Sequence, residues 1–244
     1  MVLRSIACLF FSGAALAAPI AYVPNENSGT VSLIDTAADK VLGTVPAGAK
    51  PRAVAVAGKR LFVADPSKKA LLVIDLGKKA LERSIALGET PEGLALSPDG
   101  RLVAVPSRRA NAVVLVDAER GKPLATVKTA GKGPEHAAFS PDGQWLYVSA
   151  EAASQVDVID VAGRRQVASA WVGRHPRGIA FTPDGRLAYV ACESDNTVYA
   201  IDVHRHRAIA SIPAGARASG VAVRPDGRRV YVSNGQGGTV TVID

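Results

Sequence analysis

Ten residues, LSPDGRLVAV at 96–105, return as FSPDGQWLYV at 139–148, FTPDGRLAYV at 181–190 and VRPDGRRVYV at 223–232. A chain that repeats itself at a fixed period is built from like units, each too small to bury its own apolar faces alone. An Ile-Asp or Val-Asp pair marks the period at Asp35, Asp75, Asp117, Asp160, Asp202 and Asp244, with spacings of 40, 42, 43, 42 and 42 residues. A proline shortly after a glycine marks it again at Pro51, Pro91, Pro134 and Pro176, with Ala218 in the fifth place. These positions put unit boundaries near 51, 91, 134, 176 and 218.

Each unit holds four apolar runs, such as GIAF, LAYVAC, TVYAID and AIASIPAG after Pro176. Their length, their Val, Ile, Tyr and Ala content and their flanking turn residues predict strands, here named a to d. In the Pro-Asp-Gly turn between a and b, proline presets φ, aspartate bonds nearby backbone and glycine accepts a positive φ. The aspartate ending strand c is expected to do similar turn work. Four antiparallel strands every 42 residues or so predict an all-β chain of β-propeller blades, since neither face of a blade can be buried alone. The chain opens with strands b, c and d, passes through four full units and closes with a, b and c. Five to six blades are therefore present. This strand count raises the expectation of a seven-bladed propeller truncated at its C-terminus, with a natural length of roughly 310 residues at this repeat. An open array would instead leave raw strand edges.

The Trp-Asp mark of one common propeller repeat is missing, and YVS or YVA stands at 147–149, 189–191 and 231–233. With PDG, TV and ID around it, this pattern resembles the YVTN family of β-propeller repeats, also described as YncE-like or lactonase-like, across residues 21–244. The unit at 51–90 departs most, with AGKR in place of the turn.

The opening MVLRSIACLFFSGAALAAP reads as a signal peptide over 1–17, with Arg4 before an apolar run and Ala15 and Ala17 at the cleavage site. The run is too short for a comfortable membrane span. A periplasmic or secreted location follows, with the propeller over 18–244 and no stable membrane span once the leader is gone. Cys192 is then the one cysteine left, so no intrachain disulfide can form. The net charge is +7. It is spread over turns, among them Lys68, Lys69, Arg108, Arg109, Arg164, Arg165, Arg228 and Arg229, and is read as solvated. No aromatic stacking surface accompanies it, so nucleic acid is not expected as a partner.

In a propeller the d–a links and b–c loops share one face and converge on the central channel. The links predict a mixed-charge ring of Arg52, Glu92, Glu135 and Arg177, with His136 and His175 nearby. Glu135, His136 and His175 are candidate ligands for a divalent metal or haem, because imidazole and carboxylate bind zinc and copper. No single motif carries metal-ligand spacing, so no resident cofactor is expected. Asn25, Glu26, Glu151, Glu193, Asp195 and Asn234 fall in b–c loops and could contact a ligand at the rim. His204 and His206 are expected in a surface turn on the other face, and Cys192 is expected to be packed. The sequence holds no phosphate loop, nucleophile elbow, paired cysteines or Cys-x-x-Cys-His. It leans towards a protein that is not an enzyme. The resemblance implies an exported binding or scaffold protein for a protein partner or small ligand, of the kind that accompanies periplasmic quinoprotein and cytochrome redox metabolism. It implies two alternatives as well: a lactonase-like hydrolase using Glu135, His136, Arg177 or Arg52, and a haem-binding propeller similar to nitrite reductase haem domains.

Overall fold

Turn chemistry sets the strand ends. The aspartate closing strand c accepts backbone N–H groups two and three residues on: Asp75 from Gly77 and Lys78, Asp117 from Glu119 and Arg120. The residue just before strand d is then left-handed, as at Lys79 (φ 52) and Arg164 (φ 51). In the a–b turn, Ser97 Oγ donates to Asp99 Oδ1 at 2.6 Å and accepts from the Leu102 N–H at 2.9 Å. Asp99 also accepts from the Arg101 N–H, and Gly100 takes φ +71. Ser140 and Thr182 repeat this arrangement. The degenerate unit substitutes a tighter turn at Gly58, with φ 58.

The computed structural model describes residues 19–244. The leader expected at 1–17 lies outside the described residues. Six antiparallel sheets follow one another around a channel, as β-propeller blades. Blades 2 to 5, at 53–86, 95–128, 134–171 and 176–213, have four strands in the order a–b–c–d. Blade 1 (20–46) has b, c and d, and blade 6 (218–243) has a, b and c. Strand a of blade 3 is reduced to Ala95–Leu96. A three-residue 3₁₀ turn at Glu151–Ala153 interrupts the strands. No helix of the described residues is long and apolar enough to cross a membrane.

Strand b is buried on both faces, so it reads as a continuous apolar run rather than an alternating one. In blade 2, Leu61 and Val63 pack towards blade 1 while Phe62 and Ala64 pack towards blade 3. Among the described residues five such apolar clusters join each blade to the next. Tyr147 is fully buried between blades 4 and 5 and meets Phe181 edge-on, with ring centroids 4.9 Å apart. Tyr231 holds the same repeat position in blade 6 and is 37% exposed, beside Val240 and Val242 on the blade's far face. Val23 is exposed on blade 1.

Candidate functional site at the channel mouth

The pairing of strands a and b slips by one residue just after the link proline. In blade 4, Pro134 pairs with Ala150 but Ala137 pairs with Val148, so Glu135 and His136 together face Ser149. Blade 5 does the same with Arg177 and Gly178, and blade 6 with Ser219 and Gly220. A bulge of this kind re-aims side chains. In blades 4 to 6 it turns Glu135, His136, Arg177 and Ser219 to the channel, where together with Arg52 and Glu92 they line a cavity of about 650 Å³. Ser149 Oγ accepts the His136 N–H at 3.0 Å and so satisfies a donor that the bulge leaves unpaired. Glycine is required at two of the neighbouring positions for packing: a Cβ on Gly93 would meet the Glu135 carbonyl oxygen at 2.7 Å, and one on Gly178 the Ser219 carbonyl oxygen at 2.7 Å.

A second ring of charge comes from the residue that follows strand b. This position carries Glu26, Arg108, Glu151 and Glu193 in blades 1, 3, 4 and 5. The two rings interlock. Arg177 pairs with Glu135, with Glu151 at 3.1 Å and with Glu193 at 2.5 Å. Arg108 pairs with Glu151 and lies 3.7 Å from Glu135. Glu193 also takes Arg217 Nε at 2.6 Å. On the other side Arg52 pairs with Glu92 and lies 4.0 Å from Glu26. Arg108 is therefore a member of the site and not only a solvated turn residue, a correction to the reading of the basic turns. Arg217 is another member that sequence reasoning missed. The signal for Arg108 was its register, one residue past strand b, the same place that holds Glu151 and Glu193.

The environment sorts these groups. Burial, only partly offset by Arg177, pushes the Glu135 carboxyl above the usual range, and the neighbouring Glu151 carboxyl acts in the same direction. Burial also opposes ionisation of Glu193, but hydrogen bonds from Arg217 and Arg177 outweigh it and hold that carboxyl low. Burial works against the Arg177 charge too, yet Glu193, Glu135 and Glu151 leave it more basic than usual. His136 is depressed to about 4 by burial. Its Nδ1 accepts the Ile179 N–H at 3.3 Å, which leaves the ring proton on Nε2. The mouth thus brings together a carboxyl suited to proton transfer, a neutral imidazole donor and fixed guanidinium charges.

His175 does not join this set. It sits in the link at φ 52, its Nδ1 is 2.7 Å from Ser194 Oγ, and it does not line the cavity. Glu135, His136 and His175 therefore do not converge on one point. Among the described residues no group of three or more His, Cys, Asp or Glu side chains is placed to hold a metal ion. The remaining rim candidates hold their own loops: Asn25 donates to Ser32, Asn234 to Thr241, and Asp195 accepts the Arg174 N–H. His204 is exposed, but His206 is packed edge-on against Trp145 and bonds Tyr147 Oη at 2.8 Å, so it links blades 4 and 5 rather than facing solvent alone. Cys192 is buried, and burial pushes its thiol up to about 12.

Comparison with known proteins places this geometry in a family. No curated protein matches the chain. Among solved structures, hydrazine synthase from Kuenenia stuttgartiensis is similar, at 21% identity over 91% of each chain with a TM-score of 0.65, a likeness that shows the fold alone. The sequence matches the family described as lactonase, 7-bladed beta-propeller, over residues 18–170 and again over 164–243. The chain belongs to this lactonase family of β-propellers.

Proposed function

We propose that the channel mouth binds a small polar molecule and hydrolyses a cyclic ester there. The observation that supports this reading is the Arg108, Glu135, Glu151 and Arg177 cluster beside His136 at the cavity wall. Opening a lactone with water requires a base for the water proton, a donor for the departing ring oxygen and positive charge for the oxyanion between. Water adds to the carbonyl carbon, a carboxylate takes its proton, the ring C–O bond breaks and the departing oxygen is protonated by a carboxyl. A pair of carboxyls holding one proton returns to its starting state in this sequence. Arg177 and Arg108 would face the oxyanion, and His136 Nε2–H offers a neutral donor. The leader at 1–17 supports an exported protein, so the reaction would take place in the periplasm or outside the cell.

A panel of aldonolactones, followed by acid release, tests this. Arg177→Gln is expected to lower kcat/KM by about 10²–10³-fold, the usual effect of removing an oxyanion donor. Unchanged turnover in that variant would overturn the role given to Arg177. A binding role without turnover is the second reading, favoured by one observation: every charge at the mouth already has a partner within the protein. Saturable binding of D-gluconate with no turnover of any lactone would select it.

A further inference from the structure

We propose that the open seam between blades 6 and 1 is an interaction surface for one blade of a partner protein: a four-stranded antiparallel sheet of this repeat type, apolar on both faces. The proposal is independent of what the channel mouth binds or hydrolyses. Two repeat positions carry it. The third residue from the end of strand b is valine in all six blades: Val23, Val63, Val105, Val148, Val190 and Val232. In blades 2 to 6 this valine packs against the preceding blade and is at most 1% exposed. In blade 1, Val23 is 41% exposed. The second residue of strand c packs against the following blade. Val31, Leu71, Val113, Val156 and Val198 hold this place in blades 1 to 5, and all are fully buried. Val240 in blade 6 is 59% exposed, with Val242 and Tyr231 uncovered on the same face. Blades 6 and 1 thus each present half of a seam, yet among the described residues no apolar cluster joins them. Uncovered apolar side chains grouped on one sheet face mark an interaction surface rather than ordinary surface scatter.

The two half-seams define what fits between them. Both are exposed, so they do not close on one another, and the occupant has to offer a face to each. Blade 6 calls for the face that carries the strand b valine, and blade 1 for the opposite face, with its apolar second residue of strand c. A single blade has both. The family to which the chain belongs is described as seven-bladed, one blade more than the six sheets here. The match extends to side chains. Tyr231, Val240 and Val242 of blade 6 repeat Tyr147, Val156 and Val158, the face of blade 4 on which blade 5 sits. Blade 5 is therefore the sheet of this chain best suited to blade 6. A second copy fits less well, because the blade that enters brings five others, which fall on the place of blade 1. Strand a of blades 4 to 6 turns side chains to the channel, so an added blade also contributes to the wall of the mouth.

The probe is a synthetic peptide of residues 174–213, which holds the four strands of blade 5, titrated into the whole chain. Anisotropy of the labelled peptide is expected to show saturable binding of one peptide per chain, and the thermal midpoint of the chain to rise as peptide is added. Hydrogen exchange is expected to slow in strand c of blade 6 and strand b of blade 1. Val240→Asp and Val23→Asp stand at exposed positions and are expected to leave the unfolding of the chain alone nearly unchanged. Each is expected to weaken peptide binding roughly tenfold or more, because the new charge is buried without a partner. Should the free peptide dissolve poorly, a flexible Gly/Ser linker from Asp244 to the same segment gives the same readouts at high effective concentration. No protection of the two strands with free or tethered peptide would overturn the proposal, as would binding that survives both substitutions. Sedimentation of the chain without peptide is the remaining arm: an oligomer that Val240→Asp dissolves would overturn the proposal by assigning the face to a second copy.

Discussion

At the scale of single residues, His136 shows how little a residue's type says about its charge. In the unfolded chain it titrates near 6.5, and in the folded protein at about 4. The unfolded state therefore binds more protons between these values, and stability falls as pH drops from 6.5 towards 4. His136→Asn is expected to remove that slope, roughly tenfold in the folding constant per pH unit. Urea unfolding midpoints at several pH values measure it, and an unchanged slope would reject the assignment. His136 stands one place beyond Glu135, where blades 3, 5 and 6 carry glycine. That contrast was visible in the repeat. What the repeat did not show is that the Ile179 N–H, from the next blade, occupies Nδ1.

At the scale of elements, blades 2, 4 and 6 are each clasped by a polar side chain from strand b or c that accepts an N–H of the preceding d–a link. Asp65 holds Ala49, Asp157 holds Gly131 and Asn234 holds Gly215. Blade 4 has the fullest clasp. Asp157 Oδ1 also takes Gln155 Nε2 at 2.6 Å, Gln166 Nε2 at 2.9 Å and Ser169 Oγ at 2.8 Å. All of these donors lose their acceptor in Asp157→Ala, so a loss of about 3 kcal/mol is expected by urea denaturation, as for hydrogen bonds to a buried charged group. Asp99→Ala, in an exposed a–b turn, is expected to cost only about 1 kcal/mol. Equal costs would mean that the clasp is not what fixes the link. Turn residues were legible because their bonds are local. The clasp was not, since Asp157 and Gly131 are 26 residues apart.

At the scale of the whole molecule, stability accumulates at the seams between blades. Tyr147 and Tyr231 share a repeat position, one enclosed in a seam and the other on an uncovered face. Tyr147→Ser is expected to cost about 3–5 kcal/mol, as for truncation of a large buried aromatic. Tyr231→Ser in this chain is expected to stay within about 0.5 kcal/mol of the wild type. Thermal or urea unfolding of the two variants side by side checks this. A large cost at Tyr231 would show that something covers that face in solution.

The sequence by itself determined the repeat, its strands, its turns and the face on which a site could lie. Local signals suffice for these: periodic apolar runs, Pro-Asp-Gly at fixed offsets and a charged residue after each link proline. It also placed Arg52, Glu92, Glu135 and Arg177 in one ring, because equivalent repeat positions stand at equivalent places around an axis. Only the tertiary structure decided which charges meet. Arg108, Glu151, Arg177, Glu193 and Arg217 come from three successive blades and a link, and their pairing depends on side chains reaching across seams. The same is true of His175, whose left-handed backbone and bond to Ser194 take it out of the cavity its neighbours line. Repeat spacing fixes where a backbone position falls; the charge and reach of a side chain there depend on what the adjoining blade places against it.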